Sequence, residues 1–179
     1  AFNQQIGWSP RPNIYWLRRV RFYAQFRHQK GVSTGITDER KWEFGLLGLD
    51  LESGDGFDIN ATRKFEYLDR AFFVSEGVKV MPGEYTTLGY RLTVRTTGRR
   101  PVSVYGNASL GDFWNGERLN FGGRLTFRPN PGVSISTNIQ HNRVTLPQGD
   151  FAADVYEVEG QWNPTPWVSA MTQVQFDDV

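Results

Sequence analysis

Strict alternation of apolar and polar residues in two long neighbouring segments limits the fold of this sequence more than any other feature. In the first segment, one face of an extended chain would carry only Leu88, Tyr90, Leu92 and Val94. Residues 97–101 interrupt the pattern, which resumes from Val102 to Leu110. A period of two residues is typical of a strand with one apolar and one polar face. The two segments therefore predict a β-hairpin.

The length of the two arms separates them from ordinary strands. Each arm alternates over roughly ten to thirteen residues, whereas a typical strand has about five or six. A strand that crosses a lipid bilayer at a tilt needs roughly 9 to 11 residues. The arms therefore have the length of membrane-crossing strands.

The composition excludes membrane-spanning helices. The chain has 179 residues, of which 39% are hydrophobic, and a mean hydropathy of -0.50. No window approaches the ~18 continuous apolar residues that such a helix needs. Membrane-spanning strands are compatible with this average, because half of their side chains face a polar interior.

Cysteine content and charge narrow the function further. The chain has no cysteine, so neither disulfides nor thiolate metal sites hold the fold. Its formal net charge of +1 gives no reason to propose a nucleic-acid partner. The residues after Ala1 show no signal peptide, so we expect an exported form to be a mature chain or part of a longer one.

Similar alternating segments recur along the chain and predict about nine long strands and no helix. The predicted fold class is all-β, an antiparallel up-and-down meander that forms a transmembrane β-barrel or part of a larger one. Residues 1–179 form one predicted domain, which we expect to be incomplete at both ends.

The predicted connections fall into two groups that a meander places at opposite ends of the sheet. The short, stiff group comprises 53–56, 97–101, 128–132 and 163–166. The other group comprises 31–37, 69–84, 112–117 and 146–150. Short turns at one end and longer loops at the other are typical of outer-membrane barrels.

Three local predictions accompany the meander. The first full strand should begin at Ile14, with a bulge near Leu17 where the alternation breaks. Asn115-Gly116 is the strongest short hairpin signal in the chain. The connection at 69–84 carries its own apolar residues, and a connection of that length is usually functional or packed over something.

Aromatic residues near the strand ends predict two girdles, because Trp and Tyr concentrate where a bilayer meets water. The candidate girdle residues are Trp16, Trp42, Tyr67, Tyr85, Trp114, Phe127, Trp162 and Trp167. The opposite strand faces carry charged and amide side chains in mixed order, as a wet interior requires. The candidate lumen-lining residues are Arg19, Arg21, Glu43, Glu66, Arg91, Arg95, Arg124, Glu157 and Glu159.

Two roles fit these charged residues. Cross-strand ion pairs would rigidify the wall, and we favour this role. A selectivity lining would instead act on solutes, and the excess of arginine would then favour anions. Periodicity alone does not say which face is inside, and a soluble sandwich or lipocalin-like barrel would place the apolar residues there.

Patterns for catalysis or metal binding are weak. His28 and His141 are the only histidines, and they lie in different predicted strands without clustered carboxylates. Outer-membrane phospholipases build Ser/His/Asn sites on the outer face of a barrel, but Asn142 would point away from the face of His141. We therefore expect no catalytic, cofactor-binding or metal-binding residue.

An acidic cluster surrounds the glycine turn near residue 54. It consists of Asp50, Glu52, Asp55 and Asp58. Its spacing does not fit an EF-hand calcium loop, and it predicts an ordinary polar turn.

Short segments along most of the chain carry a family resemblance. They are Pro82-Gly83-Glu84-Tyr85, Gly111-Asp112-Phe113, Arg128-Pro129 with Pro131, and Leu146-Pro147 with Gly149-Asp150-Phe151. In these segments the chain resembles the C-terminal outer-membrane barrel of a bacterial family of unknown function. Members of that family join such a barrel to an N-terminal carbohydrate-binding-like domain, and the resemblance supplies no catalytic residue.

The leading hypothesis is an outer-membrane β-barrel, either a porin-like channel or a membrane scaffold for an attached carbohydrate-binding domain, and not an enzyme. Its expected location is the bacterial outer membrane. The expected partners are the lipid bilayer, carbohydrate or small solutes, and partner chains or missing strands that complete the barrel. The alternative is a soluble all-β barrel or sandwich that binds an apolar ligand or carbohydrate.

Overall fold

The protein is all-β. A computed structural model describes residues 2–30, 37–75 and 77–178; for residues 37 and 38 it describes the backbone only. The predicted loop at 31–37 therefore lies almost entirely outside the described residues. None of the described residues forms a helix long and apolar enough to cross a membrane.

Twelve strands follow one another along the chain. They are β1 (Phe2–Trp8), β2 (Leu17–Lys30), β3 (Thr37–Leu51), β4 (Gly56–Leu68), β5 (Phe72–Ser75), β6 (Val78–Val80), β7 (Gly83–Arg95), β8 (Val102–Phe113), β9 (Gly116–Asn130), β10 (Val133–Leu146), β11 (Gly149–Thr165) and β12 (Val168–Asp178).

Ten of these strands form a single antiparallel sheet in the order β1-β2-β3-β4-β7-β8-β9-β10-β11-β12. Each strand pairs with its neighbour in sequence, apart from the β5–β6 hairpin, which forms a separate two-stranded sheet. The predicted antiparallel meander is confirmed. Within the described ranges the sheet is open, with β1 and β12 as its edges.

The two ends of the sheet differ because of one connection. At the end that we call the turn end lie the connections at 9–16, 52–55, 96–101, 131–132 and 166–167. The opposite end carries residues 69–82 with the β5–β6 hairpin, and we call it the hairpin end. Two further connections at the hairpin end, 114–115 and 147–148, have only two residues. Among the described connections, the predicted contrast in loop length therefore depends on the long one.

The first full strand begins later than predicted. It starts at Leu17, because Ile14–Trp16 lie in a turn in which the Leu17 N–H donates to the Ile14 carbonyl. The bulge predicted near Leu17 is confirmed between Leu17 and Arg19. A further irregularity in β3, between Gly45 and Leu47, explains why the alternation is blurred after Leu46.

The β8–β9 turn is displaced by one residue from the Asn115-Gly116 prediction. Trp114 and Asn115 are its two central residues, and Gly116 already belongs to β9. A Cβ atom on Gly116 would lie 2.0 Å from the carbonyl oxygen of Thr145. Gly116 is therefore required for close approach to β10, and Trp114 takes the positive φ of 52°, an uncommon conformation for a bulky residue.

The two faces of the sheet have opposite chemistry. Large side chains such as Leu125 (47% exposed) and Ile139 (46%) cover one face, the apolar face, and remain exposed. The other face, the polar face, carries ion pairs that join strands two positions apart, for example Arg21 on β2 with Asp58 on β4. The β5–β6 hairpin also packs on the polar face. The sheet therefore curls around its polar face.

The hairpin forms the main hydrophobic core of the described chain. Val78 and Val80 pack with Val144 and Leu146 of β10, and Val80 and Val144 are fully buried. The connection between β4 and β7 thus reaches across the polar face to β10. This contact confirms that the long connection is packed over something.

Candidate functional site

The exposed side chains of the apolar face form a continuous band across the sheet, which we call the apolar band. Its members on the central strands are Leu88, Tyr90, Leu92, Val94, Val102, Val104, Leu110, Leu119, Phe121, Leu125 and Phe127. Trp42 and Phe44 continue it on β3, and Tyr156 and Val158 continue it on β11. An apolar surface that extends across so many strands is unusual for a monomeric soluble protein.

The apolar band crosses the sheet obliquely. The strand register joins one row of paired residues from β4 to β12: Phe57, Val94, Gly106, Gly123, Ile139, Tyr156 and Phe176. At the β4 end of the row, Phe57 is the apolar residue nearest the turn end. At the other end, Tyr156 and Phe176 are followed toward the hairpin end by Asp154 and Asp178 on the same face. The band therefore has the orientation of a flat layer across tilted strands.

Six of the eight candidate girdle residues lie on the apolar face or in turns at its margin. Trp16, Phe127, Trp162 and Trp167 lie toward the turn end, and Trp42 and Tyr67 lie toward the hairpin end. Tyr85 and Trp114 do not join them. Both pack against the core of the β5–β6 hairpin on the polar side.

All nine candidate lumen-lining residues lie on the polar face, and the structure brings three of them together near the turn end. Arg19, Arg21 and Arg95 surround Asp50 and Asp58, which the sequence assigned to a polar turn. We call these five residues the arginine–aspartate network. They come from β2, β3, β4 and β7.

The arginine–aspartate network is closely packed and half-buried. Asp50 is 2.6 Å from Arg19 Nη2 and 2.9 Å from Arg95 Nη2. Asp58 is 2.6 Å from Arg21 Nη2 and 2.5 Å from Arg95 Nη1. Two carboxylates, on β3 and β4, thus hold three guanidinium groups from β2 and β7. The predicted role of these arginines as cross-strand ion pairs agrees with this geometry.

Glu43 and Glu66 occupy the polar face nearer the hairpin end. Lys41 Nζ lies 2.8 Å from Glu43, and Lys64 Nζ lies 3.0 Å from Glu66. Tyr23 also donates to Glu43 at 2.7 Å. Each glutamate therefore already has a cationic partner.

The remaining candidates differ in their partners. Arg124 on β9 contacts Glu159 on β11 at 2.8 Å. Within the described ranges, neither Glu157 nor Arg91 has an oppositely charged group within 4.0 Å. In the described part of the chain, Glu157 and Arg91 therefore form no ion pair.

A cavity of about 320 Å³ lies on the polar face toward the hairpin end. Strands β3, β4, β7, β8 and β9 supply its walls, and Phe113 and Trp114 form part of its rim. Trp114 packs edge-to-face on Phe72 of the hairpin, at 5.1 Å between ring centroids, and its Nε1 donates to Glu66 at 3.3 Å. These contacts hold Trp114 between the hairpin and the cavity.

Asp55 separates from the rest of the acidic cluster and organises the β3–β4 turn. Its carboxylate accepts from Ser53 Oγ at 2.7 Å, from the Thr97 N–H at 2.9 Å and from both terminal nitrogens of Arg100 at 3.0 Å. These hydrogen bonds, above all the one from Ser53, lower the pKa of Asp55 to about 2. Asp55 therefore joins the β3–β4 and β7–β8 turns and belongs to a polar turn, as predicted.

His141 lies on the apolar face and contacts the carboxylate of Asp154 through Nδ1. Its ring stacks on Phe121 at 4.7 Å between centroids. Asn142 points to the other face, as the alternation predicts. Within the described part of the chain, no three His, Cys, Asp or Glu side chains group to hold a metal ion.

Sequence reasoning missed two features of the polar face. The gathering of three arginines around Asp50 and Asp58 was not predicted, because their acidic cluster was interpreted as a polar turn, although alternation places Asp58 beside Asn60 on the polar face. The packing of the hairpin against Val144 was not predicted either, although Val144 and Leu146 break the otherwise polar pattern of their face. That break was the one available indication.

Comparisons with known protein families, with curated proteins and with solved structures find no match to this chain. The family resemblance of the short segments remains a prediction, and the geometry described above carries the functional conclusion.

Proposed function

We propose that the chain forms the wall of a porin-like β-barrel in the bacterial outer membrane. In this proposal the apolar band faces lipid and the polar face lines a water-filled interior. The oblique course of the apolar band is the observation that carries the proposal, because a flat bilayer cuts tilted strands at an angle to their hydrogen-bonded rows.

The height of the band supports the same proposal. On β9 it extends from Leu119 to Phe127, which corresponds to about 27 Å along the strand at ~3.4 Å per residue. A tilt of roughly 35–45° reduces this to about 20 Å, close to the ~25 Å apolar band of outer-membrane barrels.

The polar face is suited to water and poorly suited to a dry core. It carries the arginine–aspartate network, the lysine–glutamate pairs and the Arg124–Glu159 pair. Burying so many charges in an apolar interior would cost more than their pairing returns. The alternative of a soluble barrel with an apolar pocket would need the sheet to curl the other way.

The open edges require partners in a bilayer, since lipid cannot satisfy unpaired backbone N–H and C=O groups. In the proposed barrel, β1 and β12 pair with each other or with further strands, either from the same protein or from partner chains. The family resemblance adds a second role for the same barrel, as the membrane scaffold of a carbohydrate-binding-like domain.

A pair of neighbouring substitutions on β10 tests which face meets lipid. Ile139 lies in the apolar band, and Asn138 lies beside it on the polar face. The full chain and both variants would be refolded from urea into phosphatidylcholine vesicles and followed by gel mobility without heating. Ile139→Arg should lower the stability of the inserted form by about 2–4 kcal/mol, as for arginine facing the bilayer midplane.

Asn138→Arg is the matched control, because it adds the same charge one residue away on the polar face. We expect its stability to remain near that of the unsubstituted chain. Equal stability of Ile139→Arg and the unsubstituted chain, or a larger loss in Asn138→Arg, would contradict the proposed orientation.

A further inference from the structure

The cavity on the polar face is lined by more basic than acidic side chains. Its ionisable lining comprises Lys41, Lys64, Arg91, Arg118, Glu43, Glu66 and Asp112. Glu43 and Glu66 are occupied by Lys41 and Lys64. Asp112 accepts the backbone N–H of Leu88 at 2.8 Å. The carboxylates of the cavity are therefore engaged with groups other than its two arginines.

Arg91 and Arg118 therefore lie in the cavity without an ion-pair partner of their own among the described residues. Across residues 2–30, 37–75 and 77–178, neither has an acidic side chain within 4.0 Å. Arg118 lies over the ring of Phe113, at 4.9 Å from the centroid, which positions its guanidinium through a cation–π contact. Two like charges in one half-enclosed cavity attract an anion and repel each other in its absence.

The rest of the lining is neutral and hydrogen-bonding. Asn60, Thr62, Thr87 and Ser109 supply amide and hydroxyl groups to the same cavity. Trp114 adds an aromatic ring at the rim. The volume of about 320 Å³ lies at the lower end of small-molecule sites, roughly 300–1,000 Å³.

We propose that this cavity binds a small polyhydroxylated anion, such as a sugar that carries a phosphate or carboxylate group. Arg91 and Arg118 bind the oxyanion, for which the guanidinium fork is geometrically suited. Asn60, Thr62 and Thr87 bind hydroxyl groups of the body of the ligand. The inference rests on the proposed function, because it requires the polar face to be the wet interior.

Calorimetric titration of the full chain, folded in detergent, with glucose 6-phosphate and with glucose tests the site. We expect glucose 6-phosphate to bind at least about tenfold more tightly than glucose, because charge-assisted hydrogen bonds form only with the phosphate. Inorganic phosphate, as a third probe, separates recognition of the anion alone from recognition of the sugar. Binding of inorganic phosphate as tight as that of glucose 6-phosphate would overturn the assignment to a polyhydroxylated ligand.

The variants Arg91→Gln and Arg118→Gln should each weaken the binding of glucose 6-phosphate about tenfold or more. Arg128→Gln is the matched control, because Arg128 lies on the same strand and face as Arg118, outside the cavity, with Nη1 bonded to Ser103. We expect its affinity to equal that of the unsubstituted chain. Equal affinity in all four proteins would overturn the inference.

The comparison of probes on the unsubstituted chain decides the question even where a variant fails to fold. Equal affinity for glucose and glucose 6-phosphate, or no binding of either, would overturn the site while leaving the barrel proposal intact. Failure of the barrel proposal has a different readout, since Ile139→Arg would then insert or fold like the unsubstituted chain.

Discussion

Asp50 and Asp58 each join side chains from several strands of the sheet. Each accepts from two arginines that belong to different strands, so the two carboxylates connect β2, β3, β4 and β7 through side chains, in addition to the backbone hydrogen bonds of the sheet. Removal of either one would leave three half-buried arginines competing for the remaining carboxylate. Such uncompensated charge costs more than the loss of an exposed surface pair.

The lowered pKa of Asp55 makes the stability of the folded chain decrease at low pH. Its folded pKa of about 2 lies below the unfolded value of about 3.9. The stabilising contribution is therefore complete above about pH 4 and is lost as the pH falls through about 2.

The variant Asp55→Asn should accordingly be less stable than the unsubstituted chain at pH 7, and the difference should shrink between pH 4 and pH 2. Urea unfolding of both proteins at these three pH values measures the difference. A deficit that is unchanged at pH 2 would mean that the carboxylate charge does not act through Ser53, Thr97 and Arg100.

At the scale of the elements, the β5–β6 hairpin differs from the other connections that the structure describes. It is joined to β4 and β7, yet its buried contacts are with Val144 and Leu146 of β10. The polar face is thereby bridged at the hairpin end. In a closed barrel this bridge would narrow the interior above the cavity.

Val144→Ala should loosen this bridge. The loss of two buried methyl groups and the resulting cavity cost about 2 kcal/mol, so the hairpin should detach about 10- to 30-fold more often. Trypsin cleavage after Lys79 measures detachment, since Val80 is fully buried in the attached state.

Ile135→Ala is the control for this experiment, because Ile135 lies on the same strand but is exposed on the apolar face. Its cleavage rate should match that of the unsubstituted chain. If Val144→Ala is cleaved no faster than Ile135→Ala, the hairpin is not held by this core.

For the whole molecule, the decisive property is where the hydrophobic side chains lie. Large apolar residues dominate the exposed face, and most of the buried ones belong to the core around the hairpin. A chain of this design obtains little stability in water from burial. Its stability should depend on an apolar environment outside the sheet.

We therefore expect the full chain to lose solubility when detergent is removed by dialysis, whereas detergent or vesicles should keep it folded. Size-exclusion chromatography and circular dichroism before and after removal measure this directly. A monodisperse, β-rich protein in detergent-free buffer would contradict the membrane location and favour the soluble alternative.

Features of the fold that follow from side-chain alternation could be predicted, and features that depend on other contacts could not. Alternation is a local property, so the meander, the two faces and most strand bounds could be predicted from windows of about ten residues. The strand start at Leu17 could not, because it depends on a local turn hydrogen bond to Ile14 that alternation does not report. The turn at Trp114 could not either, because it depends on the close approach of Gly116 to Thr145, which is distant in sequence.

The sequence by itself determined that this protein is an antiparallel meander with one apolar and one polar face, since side-chain alternation is a consequence of the extended backbone. The tertiary structure alone decided the direction of curvature, the bridge from the β5–β6 hairpin to Val144, and the cavity in which Arg91 and Arg118 lie. These features depend on strand register and on contacts across several strands. A local sequence pattern does not determine these features, because they depend on how all the strands of the sheet are arranged.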